Sequence, residues 1–341
     1  MAGIDWQHGV VELAHGAGGR SMAQLIEELF IAEFADPEAR GLEDQARLTL
    51  PGTAIAMSTD SFVISPLFFP GGDIGSLAVH GTVNDVAVSG ATPLYLSAGF
   101  ILEAGFKLAE LKRIVQSMAA AARAAGVRIV TGDTKVVERG KGDGVFINTA
   151  GIGALPAGRR LSATLARPGD RVLISGSMGD HGVAIMAARA GLSFDTRIES
   201  DSAALNGLTA VMLAAAPGLR LMRDPTRGGL AAALNEIAQA SGVGLRIREA
   251  AIPVQEEVRG ACELLGLDPL YVANEGKLMA VVAAEDAPAL LAAMRAHPLG
   301  REAAIIGEVV ADPRHFVEME TVFGGRRIVD WMAGEPLPRI C

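Results

Sequence analysis

Positive charge is in deficit: 30 Lys and Arg face 39 Asp and Glu, leaving a net charge of −9. Neutralising a phosphate backbone needs the opposite sign, so nucleic acid is not an expected partner. Cysteine is scarce as well, with two residues in 341, too few for a disulfide framework. The N-terminal stretch carries Asp5 and Glu12 and lacks the apolar segment of a signal peptide, which points to the cytoplasm. No basic run or lipidation motif marks a membrane surface. The longest charge-free run, Ser202 to Leu219, contains Asn206 and Gly207 and closes on Pro217-Gly218. It reads as a buried helix with a turn after it, not as a membrane span.

Common nucleotide and metal motifs are missing too. There is no Gly-x4-Gly-Lys-Ser/Thr, and Gly151-Ile152-Gly153-Ala154-Leu155-Pro156 fails the dinucleotide fingerprint at its last position. No His-Glu-x-x-His and no paired Cys-x2-Cys occur, which removes the usual zinc sites. A bound nucleotide therefore needs another device.

The chain has 341 residues and 35.3 kDa, enough for about two domains with sizeable cores. Half the residues are apolar and 20% are charged, as in a soluble globular protein. Met22 to Phe34 has helical spacing, with Ser21 and Gln24 as a capping-box pattern. Ala54 to Thr59 reads as a strand with Asp60 at its end, and Ser76 to Ser89 as a helix closed by Gly90. Val127 to Thr131 reads as a strand ending in Gly132-Asp133, and Val145 to Ala150 as another. Pro156, Gly158 and Pro168 mark a domain connection near 155–168. The second half opens with a strand at Arg171 to Ser175 and then alternates helices with strands. The expected division is a glycine-loop segment at 1–40, α/β domains at 41–155 and 166–330, and a tail at 331–341. Alternate prolines in Gly334 to Cys341 keep that tail extended.

Three features carry chemistry. The first is His15-Gly16-Ala17-Gly18-Gly19-Arg20, where glycines let backbone approach an anion ahead of a helix N-terminus. The second is a set of acidic residues near element ends: Asp60, Asp73, Asp85, Asp133 and Asp224. Asp85 stands out, since an Asn84-Asp85 pair on an otherwise apolar helix needs partners. If several of these carboxylates converge, they require a cation, and all-oxygen ligands point to Mg²⁺ with phosphate. Lys135 and Glu275, flanked by glycines and strands, are either surface ion-pair members or a general acid/base pair. The third is Cys341, the last residue of the sequence, where packing gives no reason for a thiol. Ten steps from Trp331 allow a reach of roughly 33 to 36 Å, enough to present the sulfur to another protein and fold back. An unperturbed thiol near pKa 8.5 is only a few per cent ionised at neutral pH. Cys262, on an apolar stripe with Val258, Ala261 and Leu265, reads as core.

These residues resemble the HypE family, the carbamoyl dehydratases of [NiFe]-hydrogenase maturation, within the aminoimidazole ribonucleotide synthetase-like (PurM-like) superfamily. The resemblance spans nearly the whole chain and includes Ala14 to Gly19, Ser58 to Phe62, Pro66 to Gly75, Gly81 to Asp85 and Val130 to Val137. It continues through Gly179 to Gly182, Arg223 to Gly229, Ala273 to Lys277 and the ending Pro338-Arg339-Ile340-Cys341. It implies a ferredoxin-like α/β N-terminal domain, a larger α/β sandwich domain and an extended tail. It also implies a homodimer in which the N-terminal sheets of two chains join near the nucleotide sites.

The resemblance further implies that Cys341 accepts a carbamoyl group from the carbamoyltransferase HypF. ATP-driven dehydration would convert it to a thiocyanate, and the cyano group would pass to iron on a HypC–HypD scaffold. Mg²⁺ is expected on Asp60, Asp85 and Asp224, with Asp133 as a further candidate. The nucleotide is expected on Gly16, Gly18, Gly19, Asp73, Thr82, Asn84, Asp133 and Thr134. The implied base near the carbamoyl group is Glu275 or Lys135, with Lys135 alternatively stabilising phosphate charge. Another ATP-dependent synthetase of the superfamily, such as selenophosphate synthetase, and a thiol carrier with a regulatory ATP site are the alternatives.

Overall fold

The computed structural model describes residues 4–17, 19–34, 48–52, 54–158, 160–191, 198–331 and 339–341. The first helix starts at Gly19 and runs as α1 (Arg20–Leu25), a π-helical stretch (Ile26–Ile31) and α2 (Ala32–Phe34). The expected capping box of Ser21 and Gln24 does not form. Ser21 already lies inside the helix, and the cap position is Gly19, which has no side chain to offer.

Strands β1 (Ile55–Phe62), β2 (Phe68–Phe69) and β3 (Gly72–Asp73) lead into α3 (Ile74–Val88). β4 (Thr92–Glu103), α4 (Leu108–Ala125), β5 (Arg128–Val137) and β6 (Val145–Ala154) complete the N-terminal domain. Its sheet has the order β1-β6-β4-β5, with only β4 and β5 parallel. Helices α3 and α4 cover one face and bury Leu77, Val83, Leu111, Ile114 and Met118 against it. The other face is open, and Ile55, Met57 and Ile101 remain exposed there at 47%, 67% and 46%. α4 stops at Gly126, whose φ of 70° suits glycine.

Two strands run further than the sequence pattern suggests. β1 continues past Asp60, and β5 continues past Gly132-Asp133. The chemistry-bearing residues of both segments therefore sit within pleated strand, where alternate residues face opposite sides. This alternation decides which of them can meet.

No helix or strand lies between Ala154 and Arg171 among the described residues. Beyond it come β7 (Arg171–Ile174), α5 (Asp180–Ala190), α6 (Asn206–Ala215), β8 (Leu219–Arg223), α7 (Gly229–Ser241) and β9 (Gly244–Arg248). Next are α8 (Glu256–Leu265), β10 (Met279–Val282), α9 (Ala287–Ala296), β11 (Ala304–Val310), β12 (Val317–Glu320) and β13 (Arg326–Ile328). The strands form one sheet of order β13-β12-β9-β11-β7-β10-β8, so this is the larger of the two α/β domains. Side chains of α7 form the core on one face, and those of α6 and α9 the core on the other. Cys262 is buried, as its stripe predicts. Among the described residues no helix is long and apolar enough to cross a membrane, and Ser202 to Leu219 contains only the short α6.

The two domains share a core. Val183, Ile185, Val258 and Val272 of the second join the cluster built by α3 and α4, and Ile340 of the tail is buried in it. Asn84 on α3 braces the same junction: Nδ2 donates to the carbonyls of Ala203 and Glu275, and Oδ1 accepts from Leu205 N–H at 2.8 Å.

Candidate functional site

The inward alternation of β1 places Ser58 and Asp60 under α3, on the sheet face that also carries Thr149 and Ala98. Ser58 Oγ donates to Asp85 Oδ2 at 2.7 Å, tying strand to helix. From the second domain, the loop after β8 brings Asp224 and Arg227, and the loop before β10 brings Glu275. That first loop must turn sharply into α7, and it does so through Gly228 and Gly229 at φ 81° and 61°. A Cβ on Gly229 would meet the Leu270 carbonyl oxygen at 2.5 Å, so both its torsion and its space demand glycine.

Electrostatics show that these groups form one cluster. Burial pushes Asp60 above the usual carboxylate range, with the Asp85 charge adding to it and Arg227 opposing. Burial raises Asp85 also, offset by Ser58 and Arg223. Asp224 is pushed up to about 7, mainly by burial and then by Asp85. Glu275, 3% exposed, is raised well above its ordinary value by burial and by Asp224, Asp201, Asp60 and Asp85. Four carboxyls thus share a poorly hydrated space in which burial disfavours the charged form of each.

Cys341 docks into this cluster. Its carbonyl accepts from Val63 N–H at 3.1 Å, and Arg227 Nη2 reaches its Sγ at 3.6 Å. The thiol is pushed up to about 12 by burial first, then by Glu275, with Arg227 opposing. The thiol is therefore less ionised than the unperturbed value near 8.5 implies, because desolvation outweighs the one nearby cation. Arg339, beside the thiol in sequence and so expected to lower its pKa, instead ion-pairs with Asp143 and donates from Nε to the Val63 carbonyl, and the cation that acts on the thiol is Arg227.

The donor chemistry of Asp60, Asp85 and Asp224 fits a hard divalent cation. Such an ion takes one or two carboxylates and fills its remaining positions with phosphate oxygens and water. Among the described residues no three His, Cys, Asp or Glu side chains close around an ion by themselves. The cluster therefore suits a cation that arrives with a polyphosphate.

The remaining expected residues fall into two other groups. Asp133 and Lys135 pair with each other at 2.8 Å on the open sheet face, each 63% exposed, in register with Gly99, Asn148 and Ser61. Thr134 between them is buried on the inner face. The turn ending in Gly16 packs on the same strand, so closely that a Cβ would meet Val136 N at 2.7 Å. Gly19 caps α1 nearby in sequence, and Gly18 lies outside the described residues. Within one chain the expected partnership of Lys135 with Glu275 does not form: β5 turns Lys135 to the face opposite Asp60. Asp133 is separated from the other carboxylates for the same reason.

Three further positions serve the fold of α3. Asp73 caps it, accepting from Gly75 and Ser76 N–H at 2.8 and 3.0 Å. Thr82 hydrogen-bonds Thr149 at 2.6 Å with both fully buried. Asn84 spends both of its N–H groups on backbone carbonyls. As placed, none of the three offers a free donor at the surface of the cluster.

Arg227, Asp201, Lys277 and His181 carry no role in the sequence reading, yet all four surround the site. Asp201 accepts from Glu275 N–H at 3.1 Å, and Lys277 bridges Asp201 and Asp180 at 3.4 and 3.7 Å. His181 contacts the Ile340 carbonyl at 2.8 Å. Arg227 and Lys277 each lie within two or three residues of a predicted acid, which was the available signal.

Comparison with known proteins agrees with this architecture. The model of the AIR synthase related protein N-terminal domain matches residues 42–155, and that of the C-terminal domain matches 167–320. The carbamoyl dehydratase HypE of Azotobacter vinelandii is 65% identical over 341 residues, covering 100% of both chains. A crystal structure of the hydrogenase maturation protein HypE in complex with ATP superimposes with a TM-score of 0.93. It is 52% identical and covers 96% of this chain and 99% of that one. A crystal structure of a HypE–HypF complex superimposes at 0.80, with the same identity, covering 90% and 99%. The chain belongs to the HypE family, built from AIR synthase related N- and C-terminal domains.

Proposed function

We propose that the protein is an ATP-dependent carbamoyl dehydratase of hydrogenase maturation whose substrate is an S-carbamoyl group on its own Cys341. The observation that carries this reading is the placement of Cys341 Sγ beside Arg227, within a cluster of buried carboxyls. A full-length relative of the same description supports it, as does a solved relative holding ATP.

Dehydration of a primary amide must remove an oxygen and two nitrogen-bound protons. ATP, when bound, supplies a phosphoryl group that makes the carbamoyl oxygen a leaving group. Asp60, Asp85 and Asp224 would hold Mg²⁺, which would offset phosphate charge. Arg227 lies where it steadies negative charge developing at the oxygen. Glu275 is the base within reach of the docked sulfur. Burial and the neighbouring carboxyls raise its pKa, and added positive charge would lower it and favour the form that accepts an amide proton. Departure of phosphate and the second proton leaves the thiocyanate.

Asp133 and Lys135 on the open sheet face, with Gly16, which packs on β5, and Gly19, which caps α1, are assigned to nucleotide binding where two chains meet. The apolar side chains Ile55, Met57 and Ile101 on that face support a homodimer formed there. HypF is the proposed carbamoyl donor, since a solved relative is described in complex with it. A HypC–HypD scaffold is the proposed acceptor of the cyano group, the compartment is the cytoplasm, and the functional units are 41–155, 166–330 and the tail.

Carbamoylated protein should release ADP with Mg-ATP in a single burst, and Cys341→Ala should abolish that burst. An equal burst in Cys341→Ala contradicts the self-substrate reading and favours a regulatory ATP site.

A further inference from the structure

The docked end of the chain is gripped through its backbone. Arg339 and Cys341 pair with the segment after β1 in antiparallel register: Val63 N–H donates to Cys341 O at 3.1 Å and Ser65 N–H to Arg339 O at 3.3 Å. Two side chains of α5, eight residues apart and so on one face of the helix, add to this grip, His181 on the opposite edge and Arg189 on the edge that Ser65 already holds. His181 Nε2 is 2.8 Å from Ile340 O, and Arg189 Nη2 donates to Arg339 O at 2.9 Å and to Ser65 O at 2.7 Å.

The contacts fix the state of the histidine. A carbonyl only accepts, so Nε2 carries the hydrogen. Burial disfavours the imidazolium, so Nδ1 is bare and accepts from Ser200 Oγ at 2.7 Å. Ser200 in turn accepts from Ser202 N–H at 3.1 Å, and Phe69 packs edge-on against the ring at 5.7 Å. The imidazole is thus oriented on three sides toward one carbonyl. The Ile340 side chain, 1% exposed, fills the apolar site beneath.

We propose that His181 and Arg189 are positioning residues that latch the C-terminal strap by its backbone, delivering Cys341 to the acidic cluster whatever its sulfur carries. Neither residue touches Sγ, and the hydrogen bonds they make are to carbonyls that every cargo state shares. The loaded, dehydrated and empty forms are therefore bound alike by the latch. Discrimination among them falls to Arg227 and Glu275 at the sulfur. Release for loading and for cyano transfer then requires a partner to compete for the strap, because no chemical change at sulfur opens the latch. This inference rests on Cys341 as the cargo residue. Docking, however, is read without nucleotide or carbamoyl donor, so failure of the latch and failure of the dehydratase reading are separable.

Hydrogen–deuterium exchange of the Val63 and Ser65 amides in the full chain reads the docking directly, since the strap accepts both. Protection should be the same in the unsubstituted chain and in Cys341→Ala. It should fall at least tenfold in Arg189→Ala, at an exposed position that leaves the fold intact, and in His181→Ala. His181→Gln, whose side-chain N–H reaches toward the same carbonyl, should restore most of it, while α4 amides exchange equally in all variants. Full protection in Arg189→Ala and His181→Ala, or its loss in Cys341→Ala, overturns the proposal.

Discussion

The sulfur of Cys341 lies 3.6 Å from a guanidinium nitrogen of Arg227, yet its thiol is pushed up to about 12 from an ordinary 9.0. Burial and the Glu275 carboxyl outweigh the cation. A group whose docked pKa exceeds its free value favours docking in its protonated form. The thiol's own contribution to docking is therefore full below pH 9.0 and fades as pH rises toward about 12, while the backbone contacts of the strap do not depend on it. At neutral pH, iodoacetamide should alkylate Cys341 at least tenfold more slowly than a free peptide of the same ending, and the gap should close above pH 9. Equal rates at neutral pH contradict the docked thiol.

Asp224 gives the cluster a second pH signature. Its value of about 7 stands above the ordinary 3.8, so the folded protein binds more protons than the unfolded chain between those limits. Cation-free stability should decline as pH rises from about 4 to about 7, and Mg-ATP should reverse the trend by replacing protons with the ion. The Mg²⁺ concentration for half-maximal ATP turnover should rise roughly tenfold per unit of pH below 7, as expected when one proton competes with the ion. A flat Mg²⁺ requirement from pH 6 to 8 removes Asp224 from the ligand set.

Asp85→Asn separates charge from shape. The amide oxygen still accepts from Ser58 Oγ, so the link between β1 and α3 survives. Removing a carboxylate that burial already disfavours should leave the melting temperature unchanged or slightly higher. Turnover with Mg-ATP should nevertheless fall by about a hundredfold or more, the scale of a lost electrostatic contact to a reacting group. Retained turnover shows that the ion sits elsewhere.

The open face of the N-terminal sheet yields a test of assembly. Met57→Asp places a charge among Ile55 and Ile101. Sedimentation should show a dimer for the unsubstituted chain and a monomer for the variant. An unchanged mass contradicts pairing through this face.

Much of this molecule was legible in its sequence, and the omissions have a common cause. Periodicity and the Gly90 stop located α3, and apolar runs located β1, β5, β6 and β7, because burial on one face imposes a repeat that a single segment displays. Asp60, Asp85 and Asp224 were named as one metal set and converge, and Glu275, named with Lys135 as an acid/base candidate, joins them. Lys135 was expected beside Glu275 but faces away. The strand reading ended at Thr131, and only the continuation of β5 through Val137 sets which side each of Asp133, Thr134 and Lys135 takes. Asn84, Thr82 and Asp73 were expected at the nucleotide from the family resemblance, and the structure gives each of them hydrogen-bond partners within the fold. His181 and Arg189 escaped notice because their partner, the Ile340 and Arg339 backbone, lies some 150 residues away in sequence. No local pattern records such a meeting.

Mass spectrometry of the C-terminal peptide tests the central claim most directly. Carbamoylated protein incubated with Mg-ATP should lose the mass of one water at Cys341, and Glu275→Gln should bind ATP yet retain the carbamoyl mass. A carbamoyl group that persists unchanged on Cys341 in the unsubstituted protein, with ATP and Mg²⁺ present, would contradict the account.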